Sequence, residues 1–219
     1  MKTDLCKKYK IPRDTIITIA GTVGVGKSTF TLKLSEALNF KTSFEKVDNN
    51  PYLDKYYQDF SRWAFHLQIF FLAERFKEQK RMFQYGGGFI QDRSIYEDTA
   101  IFAKMNYDNG NMSQDDFDTY SSLFQAMVMT PYFPHPDLVI YLEGDIENIV
   151  SRIQERGRQM ELETPNEYWY DLHTRYQDWI NNFTQAPVLR LNINEYDLIH
   201  DQESIHFILQ KISRIINAK

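Results

Sequence analysis

One eight-residue run, Gly21-Thr22-Val23-Gly24-Val25-Gly26-Lys27-Ser28, restricts the possible folds of this chain more than any other stretch. It follows the β-branched segment Thr15-Ile16-Ile17-Thr18-Ile19-Ala20 and opens into Thr29-Phe30-Thr31-Leu32-Lys33-Leu34, where apolar residues fall at helical spacing. Strand, glycine-rich turn and helix in that order identify a phosphate-binding loop. Gly21, Gly24 and Gly26 can take backbone conformations closed to other residues, so successive N–H groups from Gly21 to Thr29 can converge on one anion. The helix that starts near Lys27 adds the positive end of its dipole. Lys27 can then reach the terminal phosphates, and the Ser28 hydroxyl can ligate Mg²⁺. The chain is therefore expected to bind a nucleoside triphosphate.

Strand-like and helical patterns alternate along the 219 residues. The expected strands are Thr15–Ala20, Thr42–Val47, Gly88–Gln91, Leu138–Leu142 and Val188–Asn192. The expected helices are one after the loop, then Phe60–Gln84, Ile95–Lys104, Gln114–Met129, Ile146–Arg156, Tyr168–Asn182 and Glu203–Asn217. This alternation predicts an α/β fold, a five-stranded parallel sheet with helices on both faces. No repeat, low-complexity tract or long linker divides the chain, so residues 1–219 are expected to form a single domain.

Composition removes several function classes. A hydrophobic fraction of 42% with 15% aromatics excludes a disordered chain. The net charge of −5 argues against polymeric nucleic acid as a partner. The single cysteine, Cys6, suits a reducing compartment. No apolar run approaches a membrane span and the first residues lack a signal-peptide core, so a cytoplasmic enzyme is expected.

Ligands in such sheets lie beyond the carboxyl ends of the strands, and that singles out the polar residues there. Glu45 closes the second expected strand, where it could take a proton from an attacking hydroxyl or help hold Mg²⁺; position alone leaves equally open a surface Glu paired with Lys46. In Gly88-Phe89-Ile90-Gln91-Asp92-Arg93-Ser94, Asp92 suits the carboxylate that approaches Mg²⁺, and Arg93 could bind the acceptor or the transferring group. The other reading is a buried Asp–Arg pair that closes a turn. Arg152, Arg156 and Arg158 fall within seven residues and end in Gly157-Arg158, the pattern of a mobile lid; a solvated helix face paired with Glu147 and Glu155 has the same pattern. Gln68 and Arg75 stand two turns apart on an otherwise apolar helix, so both need partners, which a nucleobase edge or the protein interior could supply.

In this order, G-T-V-G-V-G-K-S, a Glu at the second strand, W-A-F-H-L-Q, D-R-S-I-Y-E-D and R-I-Q-E-R-G-R, the chain resembles the deoxynucleoside kinase family from Ile16 to about Asp197. Asn50-Pro51-Tyr52-Leu53 and the length make it most similar to bacterial deoxyadenosine/deoxycytidine and deoxyguanosine kinases. The resemblance implies a P-loop kinase fold with an arginine-bearing lid. It implies Mg-ATP-dependent transfer of a phosphoryl group to the 5′-hydroxyl of a deoxynucleoside, hence a role in nucleotide salvage. Glu45 matches the family's general base, Arg93 and Asp92 its acidic-Arg-Ser motif, and Arg152, Arg156 and Arg158 its lid arginines. Tyr57 and Glu161 match residues holding the sugar 3′-hydroxyl; Gln68, Arg75 and Asp98 match those that read the base, and Phe102 the aromatic stacked on it. Asn194-Glu195-Tyr196-Asp197 resembles the loop around the donor adenine. Two departures stand out: Lys46 replaces a proline found in many relatives, and Lys46–Pro51 lacks an aromatic present in some. The resemblance also implies a homodimer through the aromatic helix around Phe65–Phe76.

Ionised Asp98 is acceptor-only, so it favours bases with an exocyclic amino group and disfavours thymine. Deoxyadenosine and deoxycytidine are expected, with deoxyguanosine as the alternative if Arg75 reads its carbonyl. A nucleoside monophosphate kinase such as a thymidylate kinase shares loop, sheet and lid but needs extra cations for the acceptor's phosphate. A GTPase-like switch is disfavoured by the lack of an N-K-x-D motif, and an ATP-binding regulatory module would leave the arginines and carboxylates idle.

Overall fold

Strands Ile16–Ala20 (β1), Phe89–Asp92 (β3) and Leu138–Glu143 (β4) are buried at every position except Glu143. Side chains buried on both faces of a strand require helices on both sides of the sheet. Lys41–Ser43 (β2) and Val188–Asn192 (β5) form the edges, giving a five-stranded sheet in the order β2-β3-β1-β4-β5 with every pairing parallel. These assignments come from a computed structural model that describes residues 4–45, 47, 50–198 and 201–218.

The helices are Leu5–Tyr9 (α1), Lys27–Leu38 (α2), Leu53–Gln58 (α3), Phe60–Tyr85 (α4) and Ile95–Glu97 (α5). A π-helical turn, Asp98–Ala103, leads into Lys104–Asp108 (α6), followed by Gln114–Val128 (α7) and Ile146–Arg156 (α8). Gln159–Leu162 (α9), Asn166–Asn182 (α10) and Gln202–Ile216 (α11) complete the set. One face of the sheet presents Ile17, Ile19 and Ile90, clustered with Phe30, Leu34 and Leu38 of α2 and with Leu209 and Ile212 of α11. Each such side chain, fully buried, contributes about 1.5–3 kcal/mol. The other face presents Thr18 and Gln91, bonded to each other at 3.3 Å, with Gln79 of α4 donating to Gln91 at 3.3 Å. α4 therefore covers the face opposite α2.

The five expected strands all form, with shifts at their ends. β2 stops at Ser43 and does not extend to Val47, because its only ladder partner, β3, pairs with it from Lys41↔Phe89 to Ser43↔Gln91 and then turns away at Arg93. Glu45 thus lies in the loop beyond the strand. The expected helix Ile95–Lys104 is broken into α5, the π turn and α6; its widened turn is closed partly by Asn106 Nδ2, which donates to the Phe102 carbonyl at 2.9 Å. α1, α3 and α9 have six residues or fewer and carry no apolar period long enough to be read from sequence.

Candidate active site

The phosphate loop lies between β1 and α2, as its sequence context requires. Gly21, Gly24 and Gly26 all take positive φ, and at Gly24 (φ +84°) an added Cβ would come within 2.6 Å of Ile153 Cγ1. Gly26 forms the N-cap of α2, so the amides of Lys27, Ser28 and Thr29 are the free N–H groups of the helix start. Lys27 Nζ donates to the carbonyls of Gly21 and Thr22 at 2.8 and 2.9 Å. Burial, reinforced by the Arg93 charge, brings the Lys27 ammonium down to about 8, with Asp92, Glu97 and Glu45 opposing the shift.

Ser28 Oγ donates to Asp92 Oδ2 at 2.6 Å, while Asp92 Oδ1 is buried without a hydrogen-bond partner among the described residues. A hydroxyl beside an unsatisfied carboxylate oxygen is a hard donor set that fits Mg²⁺, an ion commonly held by one or two carboxylates plus substrate phosphates. Among the described residues, no cluster of three His, Cys, Asp or Glu could hold a metal by itself.

From the loop a cavity of about 480 Å³ extends to the far side of α4 and the π turn; Lys27, Glu45, Tyr57, Gln68, Asp98, Phe102, Glu161 and the three lid arginines all line it. Glu45 Oε1 meets Arg93 Nη1 at 3.1 Å and Arg75 Nη2 at 3.7 Å. Burial works to raise the Glu45 carboxyl, but Arg93, Arg75, Lys27 and Arg158 together outweigh it and hold the group below its ordinary value. It is therefore ionised at neutral pH. Arg93 is itself unusual, a non-glycine residue at φ +65°, a conformation that costs about 1–2 kcal/mol. Its guanidinium lies 4.4 Å from the centre of the Phe102 ring.

The base-reading candidates separate. Gln68 is 2% exposed, and its Oε1 has no hydrogen-bond partner among the described residues, so a carbonyl oxygen in the cavity wall lacks a donor. Arg75 does not line this cavity. It sits behind, donating from Nε to Asp98 Oδ2 at 3.1 Å and from Nη1 to the Asp92 carbonyl at 3.0 Å. The interior, rather than open space in this cavity, partners Arg75. Burial raises the Asp98 carboxyl, with Arg75 opposing.

At the lid, α8 ends at Gly157, which takes a left-handed φ of +69°. Arg156 does not pair along its own helix. It grips Glu161 through two Nη2 contacts of 2.6 and 2.7 Å and one Nε contact of 3.1 Å, and Arg158 approaches the same carboxylate at 3.5 Å. Arg152 is exposed and borders a second cavity of about 680 Å³ beyond the loop, which Asn194, Glu195, Tyr196 and Asp197 also line. Lys46 lies outside the described residues.

Two further polar residues escaped sequence reasoning. Glu97 is fully buried and hydrogen-bonded to Ser94 and to Tyr176, which is also fully buried. The capping pattern Ser94-x-x-Glu97 directly after a strand could have revealed the first; nothing in the sequence pairs it with the second.

A parallel sheet, a phosphate loop, an acidic residue facing the loop serine and an arginine-bearing segment define a P-loop phosphotransferase. The chain belongs to the deoxynucleoside kinase family, whose profile matches residues 17–217. It is 63% identical over 211 residues to the deoxyadenosine/deoxycytidine kinase of Bacillus subtilis (96% of this chain, 97% of that protein). It is 37% identical to a deoxyadenosine kinase of Dictyostelium discoideum (83% of this chain, 74% of that protein). Among solved structures it is similar to deoxyadenosine kinase of M. mycoides with the products dCMP and a flexible dCDP, with a TM-score of 0.78 and 34% identity, covering 91% of this chain and 100% of that one. The same M. mycoides enzyme with bound dATP matches at a TM-score of 0.76 and 34% identity, over 90% of this chain and 98% of that one.

Proposed function

We propose that this enzyme transfers the terminal phosphoryl group of Mg-ATP to the 5′-hydroxyl of deoxyadenosine and deoxycytidine, acting in nucleotide salvage as a single domain. The observation that carries the reading is one cavity in which loop amides and Lys27 face a buried, unpartnered amide oxygen of Gln68 and the Glu45 carboxylate. Loop amides from Gly21 to Thr29 and Lys27 bind the donor polyphosphate; Ser28 and Asp92 would hold Mg²⁺, which neutralises charge between the phosphates. Glu45 accepts the proton of the 5′-hydroxyl as the new O–P bond forms and the bond to the leaving diphosphate breaks. Tyr57 and Glu161 hold the sugar, and Arg93 keeps Glu45 directed at it. Arg152, Arg156 and Arg158 take up charge on the transferring group, Arg156 and Arg158 after exchanging Glu161 for phosphate oxygens. The transition state is loose, so positioning and electrostatics supply most of the acceleration and Glu45 a smaller part.

Base choice follows from acceptors in the cavity wall. Gln68 Oε1 is unpartnered among the described residues, and Asp98, already paired through Oδ2 with Arg75, lines the same cavity; acceptors there suit the exocyclic amino groups of adenine and cytosine. The Nε and Nη1 donors of Arg75 are committed to Asp98 and the Asp92 carbonyl, which weakens the alternative in which Arg75 reads the guanine carbonyl. Arg93 and Arg75 are likewise paired with carboxylates rather than poised for an acceptor phosphate, which favours a nucleoside over a nucleotide acceptor. Phe102 stacks on the base. Asn194–Asp197 surrounds the donor adenine.

A homodimer through α4 fits the half-buried Phe65, Ile69 and Phe76 and the exposed Phe83, all along one stripe of that helix. Among the described residues no helix is long and apolar enough to cross a membrane, and a cytoplasmic location suits a salvage enzyme with a free buried cysteine. The test is a panel of deoxynucleosides and their monophosphates with Mg-ATP. Labelled 5′-monophosphate from deoxyadenosine and deoxycytidine is expected; preference for thymidine or for a monophosphate acceptor overturns the reading.

A further inference from the structure

Glu97 does not line the cavity, yet it is 0% exposed in a region crowded with charge. Four residues before it, Arg93 holds a left-handed backbone conformation that a non-glycine residue keeps only when its surroundings over-determine it. Its own N–H is held by the Ile19 carbonyl at 3.0 Å, and the residue that follows it, Ser94, is held by Glu97. Glu97 Oε2 accepts the Ser94 N–H at 2.9 Å and the Ser94 hydroxyl at 3.2 Å, while Ser94 Oγ accepts the Glu97 N–H at 3.4 Å. This closed box fixes the residue next to Arg93. The second carboxylate oxygen accepts the Tyr176 hydroxyl at 3.0 Å, tying the turn to α10, the helix that follows the lid segment. A capping glutamate on a surface helix needs neither burial nor a tyrosine from a distant element.

We propose that Glu97 is a positioning residue: by clamping the Ser94 turn against Tyr176 it holds Arg93 in its left-handed conformation, and so keeps the Arg93 guanidinium on Glu45 and against the Phe102 ring. The inference rests on the phosphoryl-transfer reading, because Glu45 and Phe102 matter only if a nucleoside lies between them. Glu97 itself touches neither reactant.

The test is steady-state kinetics with Mg-ATP and deoxyadenosine for Glu97→Ala, Glu97→Gln, Arg93→Lys and the Glu97→Ala/Arg93→Lys pair. Glu97→Ala is expected to lower kcat about 10–10²-fold, as small misplacements of reacting groups do, with a smaller change in KM. Glu97→Gln keeps an acceptor for the Ser94 N–H and is expected to recover kcat to within about threefold. In the Arg93→Lys background the same Glu97→Ala change is expected to cost less than about threefold, since coupled residues are not additive. Equal cost in both backgrounds, or a Gln variant as impaired as the Ala variant, overturns the inference. Should Glu97→Ala fail to fold, Tyr176→Phe removes only the Oε1 contact; a loss of kcat confined to the Arg93 background supports the proposal, and an unchanged kcat overturns it. A wild-type enzyme without activity would instead overturn the proposed function.

Discussion

The phosphate loop uses main-chain groups of consecutive residues, Gly21 to Thr29, whereas the opposite wall of the same cavity uses side chains from the β2–α3 loop, α3, α4, the β3 turn, the π turn and α9. The first wall needs glycines and a helix start, and local sequence supplies both. The second must bury Glu45, Arg75, Arg93 and Asp98 together, and does so by ion pairs of 3.1 to 3.7 Å across segments far apart in sequence. Charges can stay buried there because each finds a partner; removing one partner of such a pair costs about 3–5 kcal/mol. One wall is thus set by backbone geometry and the other by electrostatic balance, and the two should fail differently.

The largest difference should appear with Glu45→Gln. It is expected to lower kcat by about 10²–10⁴-fold while deoxynucleoside affinity, measured by calorimetry, stays close to wild type. Lost binding with normal turnover would break the contrast. On the backbone-built wall, Gly24→Ala forces a side chain into φ +84° and to 2.6 Å from Ile153 Cγ1. Strain of about 1–3 kcal/mol should weaken ATP binding about 10–10²-fold and leave deoxynucleoside binding intact. Gln68→Leu removes an unsatisfied acceptor and is expected to raise KM for deoxyadenosine about tenfold with KM for ATP unchanged.

The smallest effect is a pH dependence of donor binding. With its pKa lowered to about 8, Lys27 is charged below that value and loses its proton as the pH rises through it. Triphosphate binding favours the ammonium, so ATP affinity should be fullest below pH 7, fall about twofold by pH 8 and decline further above it. A flat calorimetric profile between pH 6.5 and 9 would remove Lys27 titration from the donor wall.

How far each wall could be read beforehand follows the same division. Gly21–Ser28 carries its function in eight adjacent residues, and β1 and α2 flank it as expected. Glu45, by contrast, lies two residues past the end of β2, and its partners Arg93 and Arg75 could not be assigned from spacing. Gln68 and Arg75 share a helix face in sequence, but one opens into the cavity while the other is committed to Asp98 behind it. Tyr57 sits on α3 and Glu161 on α9, two helices too short to leave a periodic signature. The lid arginines were legible as a cluster; the capture of Arg156 and Arg158 by Glu161 was not.

By itself the sequence determined what local geometry and hydrophobic period control: the phosphate loop, the five strands, the long helices and the polarity of the strand ends. Only the tertiary structure decided which charges neutralise one another, that Arg93 bends into a left-handed turn clamped by Glu97, and that Asp98 and Phe102 project from a π-helical turn. The reason is physical. Backbone conformation depends on neighbours a few residues away, while the energy of a buried charge depends on partners brought close by the whole fold.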